Sequence, residues 1–316
     1  EHSTLRVWKT GSVLGSGGFM AEGTVTLDAG VIDIKSTKGG LGIGGGFHTK
    51  GDLLVTNGST LSINTSTSGL KAGGFRADGK VVVTGTSTVW LSDTSAGDGG
   101  GFFANQSVHV TDNSIFNIEN STAKRHGGGF LANGEVVIDG SSQLRIIECH
   151  AISGDGGGFV TVRMLRVTGQ ATLSIERATA RGGGGFVAVA GITIESMSNL
   201  SISNGHAFSR DGGGFMTDHG LQVTKGSILS IDNSMAARFG GSFRTSGDIF
   251  IAEGSKVSIS NSRLQGKGAV PSMGHGAGFS TFSNLQITGH STLTIQNATG
   301  LVNIGGGFTA DNVLIS

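Results

Sequence analysis

Residues 127–138 read Gly-Gly-Gly-Phe-Leu-Ala-Asn-Gly-Glu-Val-Val-Ile, and this arrangement returns throughout the chain. A glycine run ends in phenylalanine, a small residue follows two positions later, and a Gly- or Asn-rich turn leads into a short apolar run. A second turn then precedes a Leu-x-Ile element such as Leu173-Ser174-Ile175. Alternation with a period of two between turn residues is typical of short strands that bury one face.

The phenylalanine of this unit recurs eleven times, at intervals of 27 to 29 residues with one interval of 36. Three short strands per unit cannot bury a face alone, whereas stacked copies can, as in a solenoid. We therefore predict an all-β, right-handed parallel β-helix with three short strands per coil and about eleven coils of about 28 residues. Residues 1–316 are predicted to form one domain. The repeated phenylalanines are Phe19, Phe47, Phe75, Phe102, Phe130, Phe159, Phe186, Phe215, Phe243, Phe279 and Phe308.

These phenylalanines are predicted to point inward and stack, because equivalent residues of successive coils lie about 4.8 Å apart in such a fold. The Ala or Thr two positions later also points inward and leaves room for the ring. The glycines before each phenylalanine are interpreted as a tight corner with close approach between coils. A second interpretation is a stripe without side chains, along which another surface packs.

A further repeated position follows each Leu-x-Ile element by two residues and is predicted to form an inward ladder at a corner. Stacked Asn amides can form hydrogen bonds from coil to coil there. Cys149 is assigned to this ladder, which favours a packed small residue over a nucleophile. The asparagines of the ladder are Asn120, Asn204, Asn233, Asn261 and Asn297.

The composition excludes several classes of protein. The 316 residues include 58 Gly but one Pro and one Cys, which excludes collagen, a disulfide framework and a Cys-built zinc site. Lys plus Arg equals Asp plus Glu at 22 each, so nucleic acid is not expected as a partner. No apolar run is long enough to predict a membrane span. No cofactor is predicted.

Acidic residues offer the main alternative to a purely structural reading. Asp98, Asp155 and Asp211 each lie four residues before a repeated phenylalanine, in a position shared with Lys71 and His126. They are predicted to form a charge ladder on a solvated corner, with a cation site or a carboxylate pair as the alternative. Polysaccharide lyases and hydrolases also use β-helices, but the sequence shows no acidic cluster in adjacent coils. No catalytic or metal-binding residue is therefore predicted.

Two further features concern recognition and modification. Residues 264–275 form an insertion with the chain's only proline, and loops that interrupt a regular scaffold are frequent recognition sites. Asn57 and Asn105 lie in predicted turns within glycosylation sequons and are the best acceptors if the protein is secreted. Asn120 and Asn297 also lie in sequons but are predicted to be shielded.

The stretch Asn120-Ser121-Thr122-Ala123, followed by Gly127-Gly128-Gly129-Phe130, resembles repeats of the polymorphic outer-membrane-protein type. That family alternates Phe-x-x-Asn and Gly-Gly-Ala-Ile elements along a surface-exposed β-helix, and this chain departs from it by having Phe in place of the last Ile. Similar repeats are found in large proteins of dinoflagellate algae. The resemblance covers nearly the whole chain and implies an exported surface stalk or adhesin, with no catalytic residue to transfer.

The two ends of the sequence continue the repeat in register, which predicts a solenoid that is uncapped at both ends. Open coils recruit further strands. We therefore expect a structural, non-enzymatic rod or filament outside the cell or on its surface, which stacks on itself or continues in a longer chain. The alternative is an adhesin that binds a receptor or glycan through the glycine stripe or the 264–275 loop.

Overall fold

The computed structural model describes residues 3–40, 43–265, 276–300 and 306–316. In these ranges the protein is all-β without a helix, and its strands pair in parallel to form a β-solenoid. Each turn of the chain passes in order through three sheets, which we name A, C and D, and from Ser95 onward a short sheet B lies between A and C. Sheets A, C and D contain eleven described strands each, and sheet B contains eight.

The strands have the following bounds. Sheet A contains Thr4–Trp8, Val31–Lys35, Thr60–Asn64, Thr88–Ser92, Ile115–Glu119, Gln143–Ile147, Thr172–Glu176, Asn199–Ser203, Ile228–Asp232, Lys256–Ser260 and Thr292–Gln296. Sheet B contains Ser95–Ala96, Thr122–Ala123, His150–Ala151, Thr179–Ala180, His206–Ala207, Met235–Ala236, Arg263–Leu264 and Thr299–Gly300. Sheet C contains Phe19–Ala21, Phe47–Thr49, Phe75–Ala77, Phe102–Ala104, Phe130–Ala132, Phe159–Thr161, Phe186–Ala188, Phe215–Thr217, Phe243–Thr245, Phe279–Thr281 and Phe308–Thr309. Sheet D contains Val25–Asp28, Leu53–Thr56, Val81–Val83, Val108–Val110, Val136–Ile138, Leu165–Val167, Ile192–Ile194, Leu221–Val223, Ile249–Ile251, Asn284–Ile287 and Asn312–Ile315.

The phenylalanine column runs through the centre of the solenoid. Neighbouring rings in the column have centroids 4.6 to 5.3 Å apart and are nearly parallel, with interplanar angles of at most 17°. The strand spacing of about 4.8 Å exceeds the contact distance of about 3.5 Å between carbon atoms. The rings therefore stack with an offset, which is the arrangement that aromatic quadrupoles prefer. Leu and Ile from sheet A and aliphatic residues from sheet D complete the same core.

The Ala or Thr two positions after each phenylalanine lies inside, as the repeat predicts. Thr161 is fully buried, and its hydroxyl donates a 2.6 Å hydrogen bond to the carbonyl of Gly134 in the preceding coil. Thr281 donates in the same way to the carbonyl of Gly247, at 2.9 Å. Thr49 and Thr245 donate to turn carbonyls as well, so in these coils Thr supplies a hydrogen bond in addition to filling the space beside the ring. The Thr217 hydroxyl makes no such bond.

The glycines before each phenylalanine are buried between coils. A Cβ atom added to Gly128 would lie 2.1 Å from the carbonyl oxygen of Gly157 and 2.5 Å from the amide nitrogen of His150 in sheet B. Gly127 has a φ of +66°, which few residues with a side chain adopt. The corner interpretation therefore holds, and the surface that packs along the glycine stripe is the backbone of sheet B in the same chain.

Sheet B is the part of the architecture that the sequence did not predict, since three strands per coil were expected. Its strands are two residues long, and their second residue is a buried Ala in most coils, such as Ala123 and Ala180. The glycine stripe packs directly against this sheet. The coil is consequently narrow at this edge, because two backbone layers contact each other with no large side chain between them.

A column of buried serines lies at the corner between sheets D and A. The Ser87 amide donates to the Ser114 hydroxyl at 3.2 Å, and the Ser114 amide donates to the Ser142 hydroxyl at 3.1 Å. The same bond joins Ser227 to Ser255 at 3.2 Å. The Ser114, Ser142 and Ser255 hydroxyls each accept from a corner amide of the preceding coil, so these serines stabilise the turn into sheet A.

We expect Phe159→Ala to lower the free energy of unfolding by about 3–5 kcal/mol, because it opens a cavity in the middle of the ring column. Denaturant unfolding followed by circular dichroism measures this loss. Phe308→Ala is the matched control, since Phe308 lies in the same column but is 36% exposed. Equal losses for the two variants would contradict the role of the central stack.

We expect Gly157→Ala to destabilise the protein by several kcal/mol, because its Cβ would lie 2.2 Å from the Gly184 carbonyl oxygen and 2.6 Å from the Thr179 amide nitrogen. Gly23→Ala is the control, since no atom lies within 4 Å of the added Cβ there. Thermal unfolding of both variants distinguishes close packing from a general effect of replacing glycine. A Gly157→Ala protein as stable as Gly23→Ala would overturn the packing argument.

Candidate functional site

The predicted acidic ladder lies in the loop between sheets B and C, which we call the edge loop and which covers residues 124–129 in one coil. Asp98 is 7% exposed and accepts hydrogen bonds from the Arg125 guanidinium of the next coil, at 3.1 Å from Nε and more closely from Nη2. The His126 amide also donates to Asp98 at 3.3 Å. The Asp98 carboxylate is therefore enclosed by donors.

The other two acidic residues have equivalent partners. Asp211 is 5% exposed and accepts from Arg238 Nε at 3.2 Å and Nη2 at 3.4 Å. Asp155 accepts from Arg210 Nη1 at 3.0 Å. Each pair joins a carboxylate to a guanidinium one or two coils further on. The expectation of a solvated corner is wrong for Asp98 and Asp211, because both are buried, and the pairs join neighbouring coils.

The electrostatics of Asp211 follow from its position. Burial raises the pKa of Asp211 above its ordinary value, and Arg238 and Arg244 oppose this increase. Folding raises this pKa, so the Asp211 carboxyl stabilises the folded state most at pH values below 3.8, its unfolded pKa. This stabilisation is lost as the pH rises through the folded pKa. Asp232 behaves oppositely: hydrogen bonds from Ser260 and Asn261 lower its pKa, so its contribution is lost as the pH falls.

A second apolar layer lies on the outside of sheet C beneath the edge loops. Phe103 is 2% exposed and Val187 is 9% exposed, although both point away from the core. Lys71 places its Nζ 4.1 Å from the centroid of the Phe103 ring, a cation–π contact. A Cβ added to Gly183 would lie 2.6 Å from Val187, which shows that the glycine backbone covers this layer. The layer is thus an outer core that the sequence analysis missed.

The asparagine ladder is exposed, and the prediction that it points inward is wrong. Asn120, Asn204, Asn233, Asn261 and Asn297 all have positive φ, between +46° and +56°, in the left-handed region that Asn tolerates better than most residues. Coil-to-coil amide bonds are nevertheless present. Asn233 Nδ2 donates to Asn204 Oδ1 at 2.6 Å, and Asn297 Nδ2 donates to Asn261 Oδ1 at 3.1 Å. The sequons at Asn120 and Asn297 are consequently not shielded.

Cys149 does not belong to the asparagine ladder. Glu148 occupies the corner with a φ of +53°, and Cys149 lies one position later, fully buried beside Ser121. Burial raises the pKa of the Cys149 thiol to about 12, so the group stays protonated at neutral pH. A buried, protonated thiol is a poor nucleophile.

The predicted modification and recognition sites are placed as follows. Asn57 and Asn105 are both exposed in turns. The Asn57 amide donates to Asp28 at 2.6 Å, and Asn105 accepts from Asn133 at 3.0 Å. Of the 264–275 insertion, Leu264 is a buried residue of sheet B, and residues 266–275 lie outside the described residues.

In comparisons with known proteins, no family model, no curated protein and no solved structure matches the chain. Within the described ranges, the structure brings together no group of three or more His, Cys, Asp or Glu residues suited to a metal ion. The same ranges contain no helix that could span a membrane. The described residues thus form ion pairs that join coils, ladders at corners and exposed sheet faces.

We expect Arg125→Met to lower the free energy of unfolding at neutral pH by about 1–3 kcal/mol, because it leaves the buried Asp98 carboxylate without its bidentate donor. Replacing Asp98 by Asn in the same protein should restore part of the loss. Arg177→Met is the control, since Arg177 pairs with Glu148 and Glu176 among exposed groups, where the change should stay within about 0.5 kcal/mol. Equal effects at neutral pH would show that the edge-loop pairs are ordinary surface ion pairs.

Proposed function

We propose that this protein is a structural, non-enzymatic rod that acts outside the cell or on its surface. The observation that carries the proposal is the uninterrupted column of stacked phenylalanines from Phe19 to Phe308. Each coil repeats the same cross-section on its neighbour. A protein built in this way provides length and stiffness, with about 50 Å for eleven coils at the strand spacing.

Stiffness follows from how the coils are joined. Bending the rod would separate coils on one side and break backbone hydrogen bonds of a parallel sheet there. The glycine stripe opposes sliding, because it holds two backbone layers in direct contact. The ion pairs at Asp98 and Asp211 add side-chain links between successive coils.

An extracellular or surface location is supported by the resemblance of the repeat to the polymorphic outer-membrane-protein type. The exposure of Asn57 and Asn105 would allow glycans on turns without disturbing the core. Immunolabelling of unpermeabilised cells tests this part: surface signal is expected, and a purely internal signal would contradict it.

Assembly of coil on coil is the second part of the proposal. Val313 faces the core side of its strand, since it pairs with the buried Leu285, yet it is 49% exposed. Leu314 faces outward on the same strand and is 53% exposed. A further coil, from this chain or from a second copy, would bury Val313 and leave Leu314 exposed.

Small-angle scattering across a concentration series tests the assembly. We expect a constant cross-section and a length that grows with concentration as copies stack end to end. Val313→Lys should prevent this growth, because it places a charge at the stacking surface. The matched control, Leu314→Lys, should leave it intact. Particles of constant length, or equal effects of the two variants, would overturn stacking through this surface.

A further inference from the structure

The chain contains two tryptophans and no tyrosine, and both tryptophans lie on the outward face of sheet A. Trp90 occupies the central outward position of its strand and is 45% exposed, and Trp8 lies at the end of its strand and is 55% exposed. No hydrogen bond joins either indole to another described residue. Each indole N–H can therefore donate to a ligand.

The residues directly beside Trp90 are small or polar and uncharged, and the nearest charged residue of this face is Glu119, one strand over and two positions along. Ser62 and Asn117 lie directly beside it in the two neighbouring strands, as the strand register shows. Asn64 and Ser92, at the ends of their strands, are joined by a 2.6 Å hydrogen bond and lie two positions along the sheet. The indole ring thus presents an exposed apolar face bordered by hydroxyl and amide groups.

The two tryptophans lie three coils and two residues apart, which corresponds to about 16 Å at the spacing and rise of parallel strands. Asp33 and Lys35 lie on the same face between them and form a 3.2 Å ion pair, so their charges offset each other. Arg6 lies outward beside Asp33, and Glu119 lies outward in the strand next to Trp90. The surface around the two rings therefore carries two positive and two negative charges, which balance, with hydrogen-bonding groups between the rings.

From this arrangement we infer that the outward face of sheet A binds an uncharged, β-linked pyranose chain, with Trp90 as the main platform and Trp8 as a second contact. A β-linked pyranose presents its axial C–H bonds on a flat face and its hydroxyl groups at the rim. The face would pack on the indole ring, and the rim would meet Ser62, Asn117 and Asn64. This site does not depend on the proposed rod function.

A neutral sugar polymer fits this face better than the other ligand classes do. A charged polysaccharide would need several charges of one sign, whereas the residues directly beside Trp90 are Ser and Asn and the charged residues of this face, Arg6, Asp33, Lys35 and Glu119, have both signs. A ligand pocket would need a concave surface, whereas Trp90 lies on an open sheet. An extended chain suits a flat face on which two rings are separated by about 16 Å.

Intrinsic fluorescence gives a direct test, because emission excited near 295 nm arises from Trp8 and Trp90 alone. In the Trp8→Phe protein only Trp90 reports. We expect cello-oligosaccharides or chito-oligosaccharides to quench or shift this emission saturably, and the two series distinguish a glucose from an N-acetylglucosamine polymer. No saturable response to either series would overturn the proposal.

Variants then locate the site. By calorimetry, Trp90→Ala should weaken binding of a hexasaccharide at least tenfold, and Trp90→Phe should retain part of the affinity. Trp8→Ala should weaken the hexasaccharide but not the disaccharide, because only the longer chain spans both rings. Phe208→Ala is the control: Phe208 is 41% exposed beside sheet B, away from this face, and its loss should change nothing.

Three outcomes would count against the inference. Equal weakening by Phe208→Ala and Trp90→Ala would indicate a nonspecific effect, and an unchanged affinity in Trp90→Ala would place the sugar elsewhere. Self-association without sugar, measured by sedimentation and abolished by Trp90→Ala, would show that a second copy of the chain occupies this face. Far-UV circular dichroism of each variant confirms that the fold is retained, since Trp90 is outside the core.

Discussion

Backbone hydrogen bonds between coils hold each residue about 4.8 Å from its counterpart in the next coil. Each column of equivalent positions must therefore consist of side chains that can pack against an identical or similar side chain in the next coil. Phenylalanines satisfy this by offset stacking, serines by donating and accepting in sequence, and glycines by presenting no side chain. Like charges do not satisfy it, and the column of Asp98 and Asp155 is interrupted by His126. The composition of the chain follows from this one requirement.

The long strands could be predicted because each has an inward and an outward face. Alternation with a period of two identifies sheets A, C and D in nearly every coil, and it also places the phenylalanine column inside. Sheet B could not be found in this way, because a strand such as Thr122–Ala123 is too short to show a period. Its presence explains the glycine stripe, whose close contact needed a partner that the sequence did not reveal.

At the corners, the period-two alternation does not predict whether a side chain points inward or outward. A residue with positive φ turns the chain, so a position two residues beyond an inward Ile need not be inward, and Asn120 points to solvent. The sequence pattern assigns Cys149 to the corner that Glu148 occupies, an error of one position, because Ile146 and Ile147 both fit the Ile of the repeat. Pairing with Ile118 selects Ile146 as the core residue, which assigns the corner to Glu148. The buried Asp–Arg pairs could not be predicted either, since each joins residues more than 25 positions apart.

The same requirement that fixes the inner columns leaves the outer face of sheet A free to vary. From Arg6 through Asp33, Ser62 and Trp90 to Asn117, the central outward position changes its chemistry at every coil. A surface that recognises a periodic lattice would repeat one side chain along this column. A single exposed plate among small polar neighbours instead suits one segment of an extended ligand. The irregular outward column of sheet A is therefore suited to binding a ligand, whereas the regular inner columns hold the coils together.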